Sequence, residues 1–140
     1  MSESTNPEPR RVIVLNRDLL FGSRIRGALS SLGLEGLFVA STEPFMDRLN
    51  EQAEEVALGI VDMNGTVDWD VIGEALSSKE GTLAPTLAFG PHVDVASRRA
   101  AKAAGITRIV SNGQFHADMS GLIDRYRRRG AETRNPSAGG

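Results

Sequence analysis

A chain of 140 residues, 40% hydrophobic and 24% charged, fits one globular domain with a single sizeable core. A formal net charge of −2 gives no electrostatic basis for binding nucleic acid, and the absence of cysteine excludes disulfides, thiolate metal sites and thiol nucleophiles. No apolar run approaches the roughly 18 residues of a membrane span, and the opening MSESTNPEPRR lacks the apolar centre of a signal peptide, so a cytoplasmic protein away from the membrane is expected.

Residues 1–9 and 130–140 are rich in Ser, Glu, Asn, Pro and Gly without periodicity and are expected to be flexible tails. The domain then spans 10–129. Val12-Ile13-Val14-Leu15 is a short β-branched run that predicts a buried strand, stopped at Asn16-Arg17-Asp18. Asp18 can cap a helix on which Phe21, Ile25, Ala28, Leu29 and Leu32 recur at helical spacing until Gly33. Leu37 to Ala40 predicts a second strand, and Thr42 a capped helix with Pro44 in its first turn. Ala57 to Val61 is the third strand, ending abruptly in Asp62. Asp68 or Asp70 starts a helix carrying Val71, Ile72, Ala75 and Leu76. Thr86 to Phe89 is the fourth strand, closed by Gly90-Pro91, and Asp94 can cap the helix Val95 to Ala104 before Gly105. Ile106 to Val110 is the fifth strand. Met119, Leu122, Ile123 and Tyr126 mark a last helix running into Arg127-Arg128-Arg129.

Five apolar strands, each followed by a helix, predict an α/β fold: a five-stranded parallel, doubly wound sheet of flavodoxin-like order 2-1-3-4-5 with helices on both faces. In such a sheet the functional crevice lies at the carboxyl ends of the strands, beside the switch point between strands 1 and 3. The residues placed there are Asn16, Arg17, Asp18, Asp62, Asn64, Gly90, His92, Ser111 and Asn112. There is no GxGxxG, GxxxxGK[ST] or GxSxG, so neither a nucleotide site nor a serine hydrolase has local support.

The stretches Asn16 to Gly33 and Ala57 to Asp62, with PTLAFGPHVD and AAKAAGITRIV, make the chain resemble the receiver domain of bacterial response regulators, in a divergent, pseudo-receiver form of the CheY-like group. The resemblance covers nearly all of 10–129. It implies a strand 1 ending in two acidic residues that hold Mg²⁺, a phosphoacceptor Asp after strand 3, Thr or Ser after strand 4, and Lys-Pro after strand 5. Only the phosphoacceptor has its match, in Asp62. The acidic pair falls on Asn16 and Arg17, the hydroxyl on Gly90, the Lys on Asn112, the Pro on Gly113 and the aromatic switch residue on Ile109. Met63-Asn64-Gly65 stands in place of the usual Met-Pro turn.

Phosphoryl transfer to a carboxylate needs a cation to neutralise the charge that builds on the equatorial oxygens. Asn16 offers only a neutral oxygen, and at roughly 4 Å and an effective dielectric of about 20 the Arg17 guanidinium would oppose a divalent ion by up to roughly 8 kcal/mol. Arg17 is instead expected to pair with Asp62, or Asp62 to accept N–H bonds from its own loop. Asp18 serves as a cap or turns inward as a replacement carboxylate. His92 with Asp62 and His116 is too sparse a set to assign a metal site. Arg125, Arg127, Arg128 and Arg129 form either a solvated helix end favoured by the helix dipole or, as in receivers, part of a partner-facing surface.

The function expected is an atypical stand-alone receiver-like domain without enzymatic activity or cofactor, a phosphorylation-independent module in bacterial signal transduction that binds an unknown protein partner or a second copy of itself. The alternatives are a response regulator phosphorylated on Asp62 with Mg²⁺, and a small-ligand or metal sensor using the strand-end crevice.

Overall fold

The computed structural model describes residues 8–78 and 82–130. Of the two expected tails, all but Glu8, Pro9 and Gly130 lie outside the described residues. Pro9 and Gly130 are buried.

The described residues form five strands and six helices, alternating as far as β5: β1 (Arg11–Leu15), α1 (Leu19–Ser31), β2 (Glu35–Val39), α2 (Thr42–Asn50), β3 (Val56–Asp62), α3 (Trp69–Ser78), β4 (Thr86–Gly90), α4 (Val95–Ala104), β5 (Arg108–Ser111), α5 (Asn112–Ala117) and α6 (Met119–Tyr126). A short 3₁₀ turn, Ala53–Glu55, precedes β3. All pairings are parallel and the strand order is β2-β1-β3-β4-β5, as the alternation of strands and helices predicts.

The two-residue period of the strands builds two cores. Val12 and Val14 of β1 face one way with Leu58, Ile60, Phe89 and Val110, and α1, α5 and α6 cover them through Ile25, Leu29, Phe115 and Ile123. Ile13 and Leu15 face the other way with Val61 and Ala88, under Phe45 and Leu49 of α2, Ile72 of α3 and Ala101 of α4. Every residue of β3 and β4 is buried, which is why these strands read as unbroken apolar runs.

β1, β3 and β4 differ from the sequence reading by one residue at one or both ends, and three other boundaries differ for visible reasons. β2 begins at Glu35, two residues before its apolar run, because Glu35 N donates to Arg10 O at 2.8 Å and an edge strand tolerates a charged, exposed residue. β5 begins only at Arg108: before it, Thr86 and Thr107 exchange backbone-to-hydroxyl bonds of 3.0 and 3.1 Å in place of ladder bonds, while Ile106 packs into the second core. Thr42 is the first residue of α2 rather than its cap. It is buried, and its hydroxyl accepts from Asp68 N at 3.0 Å, tying the start of α2 to the start of α3. Asp18 and Asp94 cap α1 and α4 as expected, and Gly33 and Gly105, both at positive φ, follow their last turns.

Strand register delivers the site. Leu15 pairs with Val61, so Asn16 and Asp62 leave the sheet side by side. Asp62 pairs with Phe89, and Gly90 with Ser111, which carries Asn112 to the same edge.

Candidate functional site

The carboxyl ends of β1 and β3 open into a cleft of about 300 Å³ lined by Leu15, Asn16, Arg17, Asp18, Asp62, Asn64 and Gly65. Asp62 is 6% exposed at its floor. A carboxylate this deep needs donors to replace water, and all of those it has are neutral. Asn16 Nδ2 donates to Oδ2 at 2.8 Å; Asn64 donates to Oδ1 twice, from its backbone N at 2.8 Å and from Nδ2 at 2.7 Å. Asn64 then forms a reciprocal amide pair with Asn112, each Nδ2 donating to the other's Oδ1 at 3.0 Å. Three asparagines from three loops thus lock one aspartate, and the lock spans the ends of β1, β3 and β5.

The expected Arg17–Asp62 pair is not formed. Arg17 lies over the β3–α3 loop and donates to Thr66 O at 2.8 Å, against Gly65, where a Cβ would stand 2.7 Å from its terminal nitrogen. Both carboxylate oxygens already have donors, and Gly65 leaves room for the guanidinium beside the Thr66 carbonyl. Nor does Asp18 turn inward as a second carboxylate: its Oδ1 accepts from Leu20 N at 2.8 Å and Phe21 N at 3.1 Å, capping α1. Ser111 belongs to the capping box of α5, in which its hydroxyl accepts from Gln114 N at 3.1 Å, so it does not face the cleft.

This donor set does not fit a divalent cation. Mg²⁺ takes hard oxygens in octahedral array. Here Asn16 turns its amide nitrogen to Asp62 and its oxygen toward Gly22, where a Cβ would lie 2.9 Å away. Asp62 is then the carboxylate at the strand ends, since Asp18, though it lines the cleft, caps α1. Among the described residues no group of three or more His, Asp or Glu side chains gathers as a metal site would require.

At Gly90, where the resemblance implies a hydroxyl, Met63 takes the space beside the backbone. A Cβ on Gly90 would meet Met63 Cβ at 2.8 Å and Met63 Cε at 3.2 Å, and Met63 is buried. Met63, whose backbone N donates to Phe89 O at 2.8 Å, and its hold on Gly90 were not legible in the sequence.

The two histidines do not converge on Asp62 as a metal set. His92 is exposed in the turn after β4. His116 lies on α5 among aromatic rings, 4.5 Å from Phe21, 5.6 Å from Phe115 and 6.1 Å from Phe89 between centroids, with both ring nitrogens buried and unpartnered. Burial holds its pKa below the ordinary 6.5; Arg24 adds to the effect and Asp62 opposes it. His116 is therefore neutral in the fold while its unfolded counterpart titrates normally. The stability that this confers is complete above pH 6.5 and is lost as pH falls toward the lowered folded value. Denaturant unfolding between about pH 7 and pH 5 is expected to show this loss in the parent chain and a flatter profile in His116→Phe.

Most of the arginine run lies beyond α6 and is bound by the chain itself. α6 stops at Tyr126, and α5 precedes it as a separate helix. Arg127 and Arg129 both bind Asp124 Oδ1, at 2.9 and 3.0 Å, and lie 3.6 and 3.9 Å from Glu8. The hydrogen bond from Arg127, then that from Arg129, holds the Asp124 carboxyl below its usual range. Arg128 reaches under the sheet: its guanidinium donates to the carbonyls of Ala53 and Val56, and its backbone N to Ala57 O. Of the four, Arg125 alone is exposed. Backbone carbonyls leave no mark in a sequence, so these contacts could not have been anticipated.

No family model matches the sequence, and no curated protein matches it. Solved structures do. The chemotaxis protein CheY4 of Vibrio cholerae is 14% identical, with a TM-score of 0.66, over 84% of this chain and 98% of that one. The response-regulator signal receiver domain from Bermanella marisrubri is 16% identical, with a TM-score of 0.68, over 83% and 96%. A CheY-like protein, TadZ, from Pseudomonas aeruginosa is 20% identical, with a TM-score of 0.63, over 84% and 98%. The strand order and these likenesses agree: the chain has the fold of CheY-like response-regulator receiver domains.

Proposed function

We propose that the chain is a receiver-like module of bacterial signal transduction that acts by binding a protein, without phosphorylation of Asp62, without Mg²⁺ and without enzymatic activity. The observation that carries this reading is the lock on Asp62: both carboxylate oxygens are engaged by asparagine donors, while Asp18, the other carboxylate lining the cleft, caps α1. Met63 fills the space of the receiver hydroxyl, and Asn112 is paired where a lysine would reach the phosphoryl group. A preformed set of bonds that phosphorylation would have to break favours one fixed loop arrangement. Exposed apolar side chains at this end of the sheet, Leu19 and Leu20 on α1 and Val93 and Val95 at the start of α4, support protein binding there. They are a better candidate for the contact than the arginines, three of which are turned to the chain itself. The cytoplasm and a partner other than nucleic acid belong to the same proposal.

Titration with beryllium fluoride and Mg²⁺, a mimic of the phosphorylated aspartate, tests it by amide NMR. At saturating mimic, unchanged resonances for Asn16, Asp62, Asn64 and Asn112 are expected. Shifts centred on Asp62 and spreading to β4 and α4 would establish a working, phosphorylated receiver instead.

A further inference from the structure

Both amides of the Asn64–Asn112 pair are followed by glycine, Gly65 and Gly113. In an Asn-Gly step no Cβ hinders the glycine nitrogen from reaching the asparagine side chain. The surroundings of the two steps differ, and the first is arranged for that reaction. Asn64 and Gly65 are exposed in the turn after β3, within reach of water. Asn64 Oδ1 accepts from Asn112 Nδ2 at 3.0 Å, a donor already placed for negative charge developing on that oxygen. Asn64 Nδ2, the nitrogen that would leave, lies 2.7 Å from Asp62 Oδ1. The Arg17 guanidinium packs against Gly65, where a nearby cation favours loss of the amide proton.

We propose that Asn64-Gly65 is a site of spontaneous deamidation whose product opens the lock on Asp62. The Gly65 nitrogen gives up its proton and attacks Asn64 Cγ. The new N–C bond forms, the Cγ–Nδ2 bond breaks, and Nδ2 departs with the proton as ammonia, leaving a five-membered succinimide. Water then adds to either ring carbonyl and opens it to aspartate or isoaspartate. One amide and one water become one carboxylate and one ammonium ion, and nothing is oxidised or reduced. The carboxylate at 64 cannot donate to Asp62 Oδ1 or to Asn112 Oδ1, as Nδ2 does in the parent chain, and it repels Asp62. Of the two bonds that join the β3 and β5 loops, the one donated from residue 64 is lost.

Asn112 is the built-in comparison. It is the first residue of α5, held by the Ser111–Gln114 capping box, and a helical backbone directs the Gly113 nitrogen away from the Asn112 side chain. The whole chain, kept folded for days at mildly alkaline pH and followed by site-resolved peptide mass spectrometry, is expected to gain one mass unit at residue 64, partly as isoaspartate. Residue 112 is expected to lag by roughly a hundredfold, the penalty of a misplaced nucleophile. In denaturant both sites should convert at similar rates. Gly65→Ala, whose added Cβ meets only the flexible end of Arg17, should keep the fold by circular dichroism and slow conversion of Asn64 roughly tenfold or more. An Asn64 that stays an amide in the folded chain while converting in denaturant would overturn the proposal. So would equal rates at 64 and 112 in the folded chain, or a folded Gly65→Ala that converts at the parent's rate.

Discussion

Replacing Arg128 with alanine is expected to lower the free energy of unfolding by about 3 kcal/mol, more than any other exchange of a charged residue outside the cleft. Its guanidinium satisfies the carbonyls of Ala53 and Val56 at the amino end of β3 and approaches Thr82 O, 3.5 Å away, before β4. Burial pushes its pKa below the ordinary range, with Glu54 acting against the shift, yet the side chain stays ionised at any working pH. A hydrogen bond to a charged group contributes about 1.5–3 kcal/mol, and a buried carbonyl left without its donor costs about 1–3 kcal/mol. These terms overlap, and water entering the space recovers part of them, so the expected loss is below their sum. Arg128→Lys should retain less than half of the difference, because one ammonium cannot present the guanidinium's fork to two carbonyls. Urea unfolding followed by circular dichroism measures both. A change within about 0.5 kcal/mol for Arg128→Ala would mean that water serves these carbonyls as well as the side chain does.

The contrast between Arg128 and Asp62 shows what a sequence of this kind makes legible. Asp62 stands out because a buried apolar strand that ends in a carboxylate is costly unless that carboxylate is held, and the strand order places it at the switch point. The strands themselves are legible because β1, β3 and β4 are buried on both faces and carry no polar residue before their ends except Thr86 and Arg11. The edge strands are not, since β2 and β5 take their limits from backbone pairing that polar residues serve equally well. Of the residues expected at the strand ends, Asn16, Arg17, Asp18, Asp62 and Asn64 line the cleft, whereas the bonds among them were not readable. Asn64 and Asn112 are 48 positions apart, and nothing in either residue type signals that two amides will pair face to face. Arg17 misleads for the opposite reason: charge alone would send it to Asp62, but three short neutral bonds already satisfy that carboxylate and a glycine clears a place elsewhere. Competition between satisfied and unsatisfied acceptors is a property of the assembled loops.

That competition makes Asn16→Asp the most informative change in the cleft, with an expected loss of about 3 kcal/mol in chelator at neutral pH. The substitution keeps size and shape but replaces the Nδ2 donor, 2.8 Å from Asp62 Oδ2, with a second carboxylate oxygen. One hydrogen bond to a charged acceptor disappears, worth about 1.5–3 kcal/mol. Two like charges at roughly 4 Å in an effective dielectric of about 20 repel by about 4 kcal/mol. Sharing a proton or rotating apart relieves part of this, so the loss should shrink as pH falls and the pair takes up a proton. The same substitution supplies the oxygen donor that the parent's site lacks, so a divalent cation should restore what it removed. A ligand at a hundred times its dissociation constant stabilises by about 2.7 kcal/mol. Mg²⁺ is therefore expected to raise the melting temperature of Asn16→Asp and to leave that of the parent chain unchanged. If the parent gained as much from Mg²⁺ as the variant, Asp62 would be recruiting the ion despite its asparagines, and the proposal that a neutral lock keeps Mg²⁺ from this cleft would fail.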